Sequence, residues 1–279
     1  MGRLIDGKIL VCLFAALFLM SASKVQAFDH QHQMLTQVLN EVVKLSPNKK
    51  QTRVNYAQLF KQPEPLNQYL AQLSSVKQSE YQLWTNDEQL SFLINAYNGF
   101  TLQLIIQNYA KFQSGKVESI KDLGSFFSSP WKQSFFTLLG KKRHLDNIEH
   151  DMIRVWFERP RIHAALVCAA VSCPPLRNQA FVADKLEQQL DDQMTQFLSD
   201  DQRNTIKLSD NRVYLSPIFK WYGEDFEKGQ QGFINLKDLI KVYQTDMADD
   251  PQQLTWLQKQ DFDIRYLDYD WRLNDISTF

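Results

Sequence analysis

Cysteine is scarce in this chain, at three in 279 residues. So few exclude a small scaffold stapled by several disulfides. Metal-ligand spacing is lacking too. No CxxC, HxxxH or HExxH occurs, which removes the usual zinc patterns. There is no surplus of one charge, with 31 basic against 32 acidic residues. That gives no electrostatic reason to bind nucleic acid. Long apolar runs are missing as well. The longest, residues 9–20, has 12 residues, and a membrane-spanning helix needs about 20. No internal repeat or low-complexity tract is visible.

What is present starts with that short run. Arg3 and Lys8 precede it, and Val25 and Ala27 follow at the minus-three and minus-one positions of a signal-peptidase site. The segment reads as a cleavable signal peptide over 1–27, so the mature protein is expected to be periplasmic or secreted. Cleavage leaves 279 − 27 = 252 residues, enough for one large domain. Removing Arg3, Lys8, Lys24 and Asp6 leaves 28 basic and 31 acidic residues, a charge of −3. Cys12 goes with the signal, and it lacks the small preceding residue of a lipid-anchor site. Cys168 and Cys173 remain.

Helical spacing of apolar residues predicts helices within 28–46 and over 65–76. Thr85 and Glu88 read as a capping box opening a helix over about 90–109. Its sequence is apolar nearly all round, which predicts a buried central helix. A hairpin is expected over 135–145, turning at Gly140-Lys141-Lys142, and a helix over 146–158. A second hairpin is expected about Ser209-Asp210-Asn211, with helices over 183–199, 233–243 and 251–259 and a strand over 263–269. The class is therefore α+β: a helix-rich single domain with a buried central helix and a small, mostly antiparallel sheet.

Three polar groups stand out against apolar surroundings. Ser91, Asn95 and Asn98 share one face of the central helix. They either tie a neighbouring loop to the core or line a cleft and orient a histidine. Glu149 and His150 are adjacent, about 100° apart on an α-helix. Only five histidines exist; His30 and His32 fall in a start expected to fray, which leaves His144, His150 and His163. The stretch from His163 to Pro175 is small and apolar, and it carries Cys168 and Cys173. A thiol at a terminus such as Cys173 is expected to be accessible and reactive, and mid-segment Cys168 to be inert core. Two competing states remain open: a Cys168–Cys173 disulfide, and a metal site from His150, His163 and Cys173.

Five stretches together resemble the family called domain of unknown function 547. They are Leu93-Ile94-Asn95-Ala96-Tyr97-Asn98, Asp146-Asn147-Ile148-Glu149-His150, the stretch from His163 to Pro175, the stretch from Tyr214 through Lys220-Trp221-Tyr222 to Phe226, and Tyr269-Asp270-Trp271-Arg272-Leu273-Asn274. They span a core of about 85–274, with a helical part over 28–84. Members occur in exported bacterial proteins and in plants, and the resemblance implies no settled reaction. It directs attention to Asn95, Tyr97, Asn98, Glu149, His150, His163, Cys173, Lys220 and Trp221, and away from His144.

The residue types are similar to those of papain-like thiol hydrolases, by analogy alone. The leading expectation is a thiol-hydrolase-like enzyme cleaving an amide or acyl bond in an envelope peptide or small molecule. Cys173 would be the nucleophile, His163 or His150 the base, and Glu149 or Asn95 the orienting group. No cofactor is expected. The alternatives are a binding module presenting Phe219, Trp221, Tyr222 and Trp271, and a metal-binding domain.

Overall fold

The computed structural model describes residues 27–125 and 128–278. The expected signal sequence before Ala27 lies outside them. Helix α1 (Gln33–Val42) buries Leu35, Val38, Leu39 and Val42, the three-and-four spacing of one apolar face. It runs straight into β1 (Val43–Leu45), which pairs antiparallel with β2 (Thr52–Val54). Neither strand is legible in the sequence, because three residues are too short to show a period of two. Helices α2 (Tyr56–Lys61), α3 (Glu64–Ser75) and α4 (Gln78–Tyr81) follow.

The start of this region does not fray as expected. His32 is buried, and its Nδ1 lies 2.7 Å from the Tyr69 hydroxyl. Phe28 stacks on Trp84 at 5.2 Å, and His30 meets the same ring edge-on at 4.6 Å. The partners lie tens of residues along the chain, so the sequence near His32 holds no trace of them.

Helix α5 (Asn86–Gln107) is the central helix. Its capping box forms as expected: the Thr85 N–H donates to Glu88 Oε2 at 2.8 Å, and the Glu88 N–H to Thr85 Oγ1 at 3.3 Å. Sixteen of its 22 residues are buried, so both sides of the helix are covered by other elements. One of those neighbours comes very close. A Cβ on Gly99 would stand 2.9 Å from Leu70 Cδ2, so any larger residue there would push the Leu70 side chain of α3 aside.

After α6 (Tyr109–Gln113), β3 (Phe136–Leu138) and β4 (Lys141–Arg143) form the expected hairpin. The reversal falls at Leu139-Gly140, both with positive φ (51° and 75°), slightly earlier than expected. The helix expected over 146–158 is π-helical across Asn147–Ile153 and ends in one α-turn, α7 (Arg154–Trp156). A 3₁₀ turn at Pro160–Ala164 follows, and the chain then stays irregular past the double proline.

The last part holds α8 (Leu186–Leu198), β5 (Thr205–Lys207), β6 (Arg212–Leu215), α9 (Ile218–Trp221), α10 (Gly223–Phe226), α11 (Leu236–Met247), α12 (Pro251–Gln258) and β7 (Asp263–Tyr266). Strand β6 is central, antiparallel to β5 and parallel to β7. The α+β, helix-rich architecture is as expected, with this one parallel pair among antiparallel ones. Among the described residues no helix is long and apolar enough to cross a membrane.

Buried apolar residues form two cores. One surrounds α5, and the other lies between the three-stranded sheet and α8, α9, α10, α11 and α12. They abut at Ala164 and Ala165, consecutive residues that belong to different cores. The segment carrying His163, Cys168 and Cys173 therefore runs along the seam.

Candidate functional site

A cavity of about 730 Å³, measured with its mouth, opens at this seam. Its walls include Tyr97, Glu149, His150, His163, Cys168, Cys173 and Trp221. Six of the nine residues singled out in the sequence thus line one space: Tyr97, Glu149, His150, His163, Cys173 and Trp221. Asn95, Asn98 and Lys220 do not.

The two asparagines do a different job. Asn95 Nδ2 donates to the Phe181 carbonyl at 2.7 Å, and its Oδ1 accepts the Phe181 N–H at 2.9 Å. Asn98 clasps the next strip of chain in the same way, donating to Ala165 O at 2.9 Å and accepting from Val167 N at 3.0 Å. Both amides pin irregular backbone to α5, where an unpaired peptide group would be costly. The orienting role expected of Asn95 is therefore not one its amide is free to perform. Ser91, third on that face, is buried with its Oγ unpartnered. Lys220 is exposed, with its Nζ 6.0 Å over the Tyr266 ring.

The π-helical turn explains how adjacent Glu149 and His150 reach one cavity. Its wider turn sets consecutive residues closer in angle than an α-helix does. Glu149 is buried, and the phenols of Tyr97 and Tyr222 stand beside its carboxylate. Burial first, and that neighbouring carboxylate second, push both phenols well above their usual range. Tyr222 also stacks between the histidines, at 3.9 Å from the His163 ring and 6.3 Å from that of His150.

His163 has a partner the sequence reading missed. Its Nε2–H donates to Asp225 Oδ2 at 2.8 Å. An ionised carboxylate only accepts, so the Nε2 proton is assigned and Nδ1 keeps the lone pair. Asp225 also accepts from Arg154 Nε at 2.6 Å, from Arg154 Nη2 at 3.2 Å and from Lys228 Nζ at 2.8 Å. Burial by itself raises an aspartate. Here the bonds from His163, Arg154 and Lys228 outweigh it and hold Asp225 well below the usual carboxylate range. Burial lowers His163, and the attraction of Asp225 only partly opposes it, so the imidazole is neutral at pH 7. Arg154 Nη1 donates to His150 Nδ1 at 3.1 Å. His150 then carries its proton on Nε2, which makes it a donor toward other groups, whereas the lone pair of His163 stays on Nδ1, away from Asp225.

The cysteines are joined in a disulfide, Cys168–Cys173, with Cα atoms 6.3 Å apart. The helical geometry that would have kept them apart is absent, because the chain is irregular here and turns at Ala169 (φ 62°). Their exposure is the reverse of that expected. Cys173 is buried, while Cys168 is half-buried. Cys173 nevertheless sits in a polar setting. Its Sγ accepts from the Cys168 N–H at 3.1 Å, the Ala170 N–H at 3.4 Å and the Tyr269 O–H at 3.2 Å.

This loop is fastened from two directions. On one side Val171 N donates to Arg272 O, Ser172 N to Asp270 O and Asn274 N to Ala169 O, at 2.8, 3.1 and 3.0 Å. The C-terminal stretch thus holds the loop as an added strand would. On the other side, Arg203 Nε donates to the Cys173 carbonyl at 2.7 Å and Nη2 to that of Val171 at 2.6 Å, while Nη1 pairs with buried Asp200. Burial lowers Arg203 to about 10, so it stays charged.

The remaining walls are aromatic. Trp221 stacks on Trp271 at 5.7 Å, with Tyr269 4.5 Å and Trp131 6.0 Å from the Trp271 ring. Of the rings expected to form a binding surface, Phe219 is fully buried in the second core. Trp131 and Tyr269 take its place. Among the described residues no group of three or more His, Cys, Asp or Glu side chains is arranged to hold a metal ion.

The fold and this seam define a helix-rich α+β protein with a disulfide, two histidines and aromatic rings around one cavity. Residues 81–198 match the model of the family described as protein of unknown function, DUF547, which supports membership of that family. The matched stretch carries His163 and both cysteines but ends before Arg203, Asp225 and Tyr269. No curated protein and no solved structure matches the chain.

Proposed function

We propose that the chain is an exported bacterial thiol hydrolase, latent in its disulfide form. It would act on an amide or acyl bond of an envelope peptide or small molecule. The supporting observation is that Cys173 and His163, the latter bonded to Asp225 behind it, line one cavity. An external dithiol first reduces the disulfide, taking up the bond's two electrons' worth of oxidation and leaving both cysteines as thiols. The three donors around Cys173 Sγ favour its thiolate. That thiolate attacks the acyl carbon. His163, held by Asp225, takes the thiol proton and passes it to the leaving amine or alkoxide. It then draws a proton from the water that cleaves the thioester.

The test is hydrolysis of p-nitrophenyl acetate before and after reduction. Activity is expected only after reduction, and Cys173→Ser is expected to abolish it. Cys168→Ser, which cannot form the bond, is expected to be active without reductant. Equal rates in reduced wild type and in Cys173→Ala would sink this reading.

The aromatic wall favours a second reading, a non-catalytic envelope-ligand module. Trp221 is 48% exposed although it packs against Trp271, which leaves a ring face for a ligand.

A further inference from the structure

The cavity's charge and its rings are both lopsided. Asp146 and Glu149 stand among its walls, and no lysine or arginine does. Burial, with Glu149 beside it, raises the Asp146 carboxyl above its usual range against the opposing pull of His150, Lys132 and His144. The nearby cations are engaged elsewhere. Arg154 is spent on Asp225 and His150, and Arg203 on loop carbonyls and Asp200. Lys132 acts on Asp146 from outside the walls.

The same walls carry the rings of Trp131, Trp221, Trp271, Tyr222 and Tyr269. Ring faces attract cations through their quadrupole, and tryptophan does so best. Two of these rings already do it. Lys121 Nζ lies 4.7 Å over Trp271, and the Arg154 guanidinium 5.2 Å over Tyr222. A neutral or anionic guest would leave the two carboxylates unanswered in a part-buried space, whereas a cation satisfies them and the rings together.

We propose that the cavity recognises an organic ammonium group, and that the substrate is an amide or ester bearing an alkylammonium close to the bond cleaved. The substrate half of this proposal rests on the hydrolase reading; the binding half does not. With rings and carboxylates as the recognising groups, a primary or a methylated ammonium fits, and a carboxylate of the same length is rejected.

Binding is read in the oxidised protein, where no thiol exists, by tryptophan fluorescence and calorimetry. The probes are n-butylammonium, tetramethylammonium, n-butanol, butyrate and glucose. Saturable binding of the two ammonium ions is expected, at least ten times tighter than butanol, with none for butyrate. Trp271→Ala and, because a tryptophan replacement can unsettle the fold, Asp146→Asn are each expected to weaken it five-fold or more. Butanol, glucose or butyrate binding as tightly as the ammonium ions overturns the proposal. So does ammonium binding that neither variant changes. Ammonium binding without thiol-dependent hydrolysis would retain this inference and remove the hydrolase; hydrolysis without ammonium preference would do the reverse.

Discussion

Asp225 gathers an imidazole, a guanidinium and an ammonium onto one carboxylate. Taking away its charge leaves Arg154 and Lys228 without their counter-ion and His163 without the group that fixes its tautomer. In Asp225→Asn, hydrolysis by the reduced protein is expected to fall about 100-fold, the usual worth of a well-placed acid–base pair. Loss of expression alone would look different from the second expected effect. The negative charge of Asp225 raises His163, so in the variant the His163 ring should titrate at a still lower pH, measured by NMR. An unchanged titration would show that Asp225 does not govern His163. The residue sits inside the Trp221-Tyr222-Gly223-Glu224-Asp225-Phe226 stretch that the family resemblance marks. Its pairing with His163 was invisible because 62 positions separate them, and no local period links residues so far apart.

Among elements, α5 does the most to position the site while touching little of it. The capping box and the all-round apolar composition make its start and its burial readable in the sequence. The polar positions on it were ambiguous, because a buried amide that clamps backbone and one that orients a catalytic group have the same spacing. The partner, not the helix, decides. Asn95→Ala would leave the Phe181 N–H and carbonyl unpaired in the interior. A loss of about 2–4 kcal/mol in urea denaturation is expected, at roughly 1–3 kcal/mol per orphaned buried group. Asn98→Ala should cost a similar amount and also loosen the chain just before Cys168, seen as faster exchange of the Val167 amide. A change below about 0.5 kcal/mol would mean that water replaces these bonds. The Asn147–Ile153 element shows the opposite limit. A helix was readable there, but its π geometry was not, since apolar spacing over seven residues does not separate the two windings.

For the whole molecule, acid is the expected weakness. Burial lowers His32 to about 4 and also depresses His163. Unfolded histidine takes its proton near 6.5. Above that pH both states are neutral and nothing is lost. Below it the unfolded chain binds protons that the fold refuses, so stability falls as pH drops toward the folded values. From His32 alone the loss is about 2 kcal/mol between pH 6.5 and 5, with His163 acting in the same direction. Asp225, held low, keeps its contribution until pH falls into the usual carboxylate range and loses it progressively below that. The raised carboxyls of Asp146 and Asp246 act oppositely, close to that same range. Urea midpoints at pH 7 and pH 5 measure the difference, and His32→Leu should shrink it. Equal midpoints would show that His32 is not protected from protons.

The sequence by itself determined the class, the central helix and most element positions, because burial periodicity, caps and prolines are local properties of the chain. It also marked Glu149, His150, His163 and Cys173 through their resemblance to a family. Only the tertiary structure decided which of these meet. The cavity is a seam between two cores, and its makers come from six separate stretches. The disulfide depends on one left-handed residue, Ala169, and on the C-terminal stretch that pins the loop. Exposure of the two thiols, the Asp225 partner of His163 and the role of the asparagines all depend on distances between remote segments. Packing fixes those distances, and no pattern along the chain encodes them.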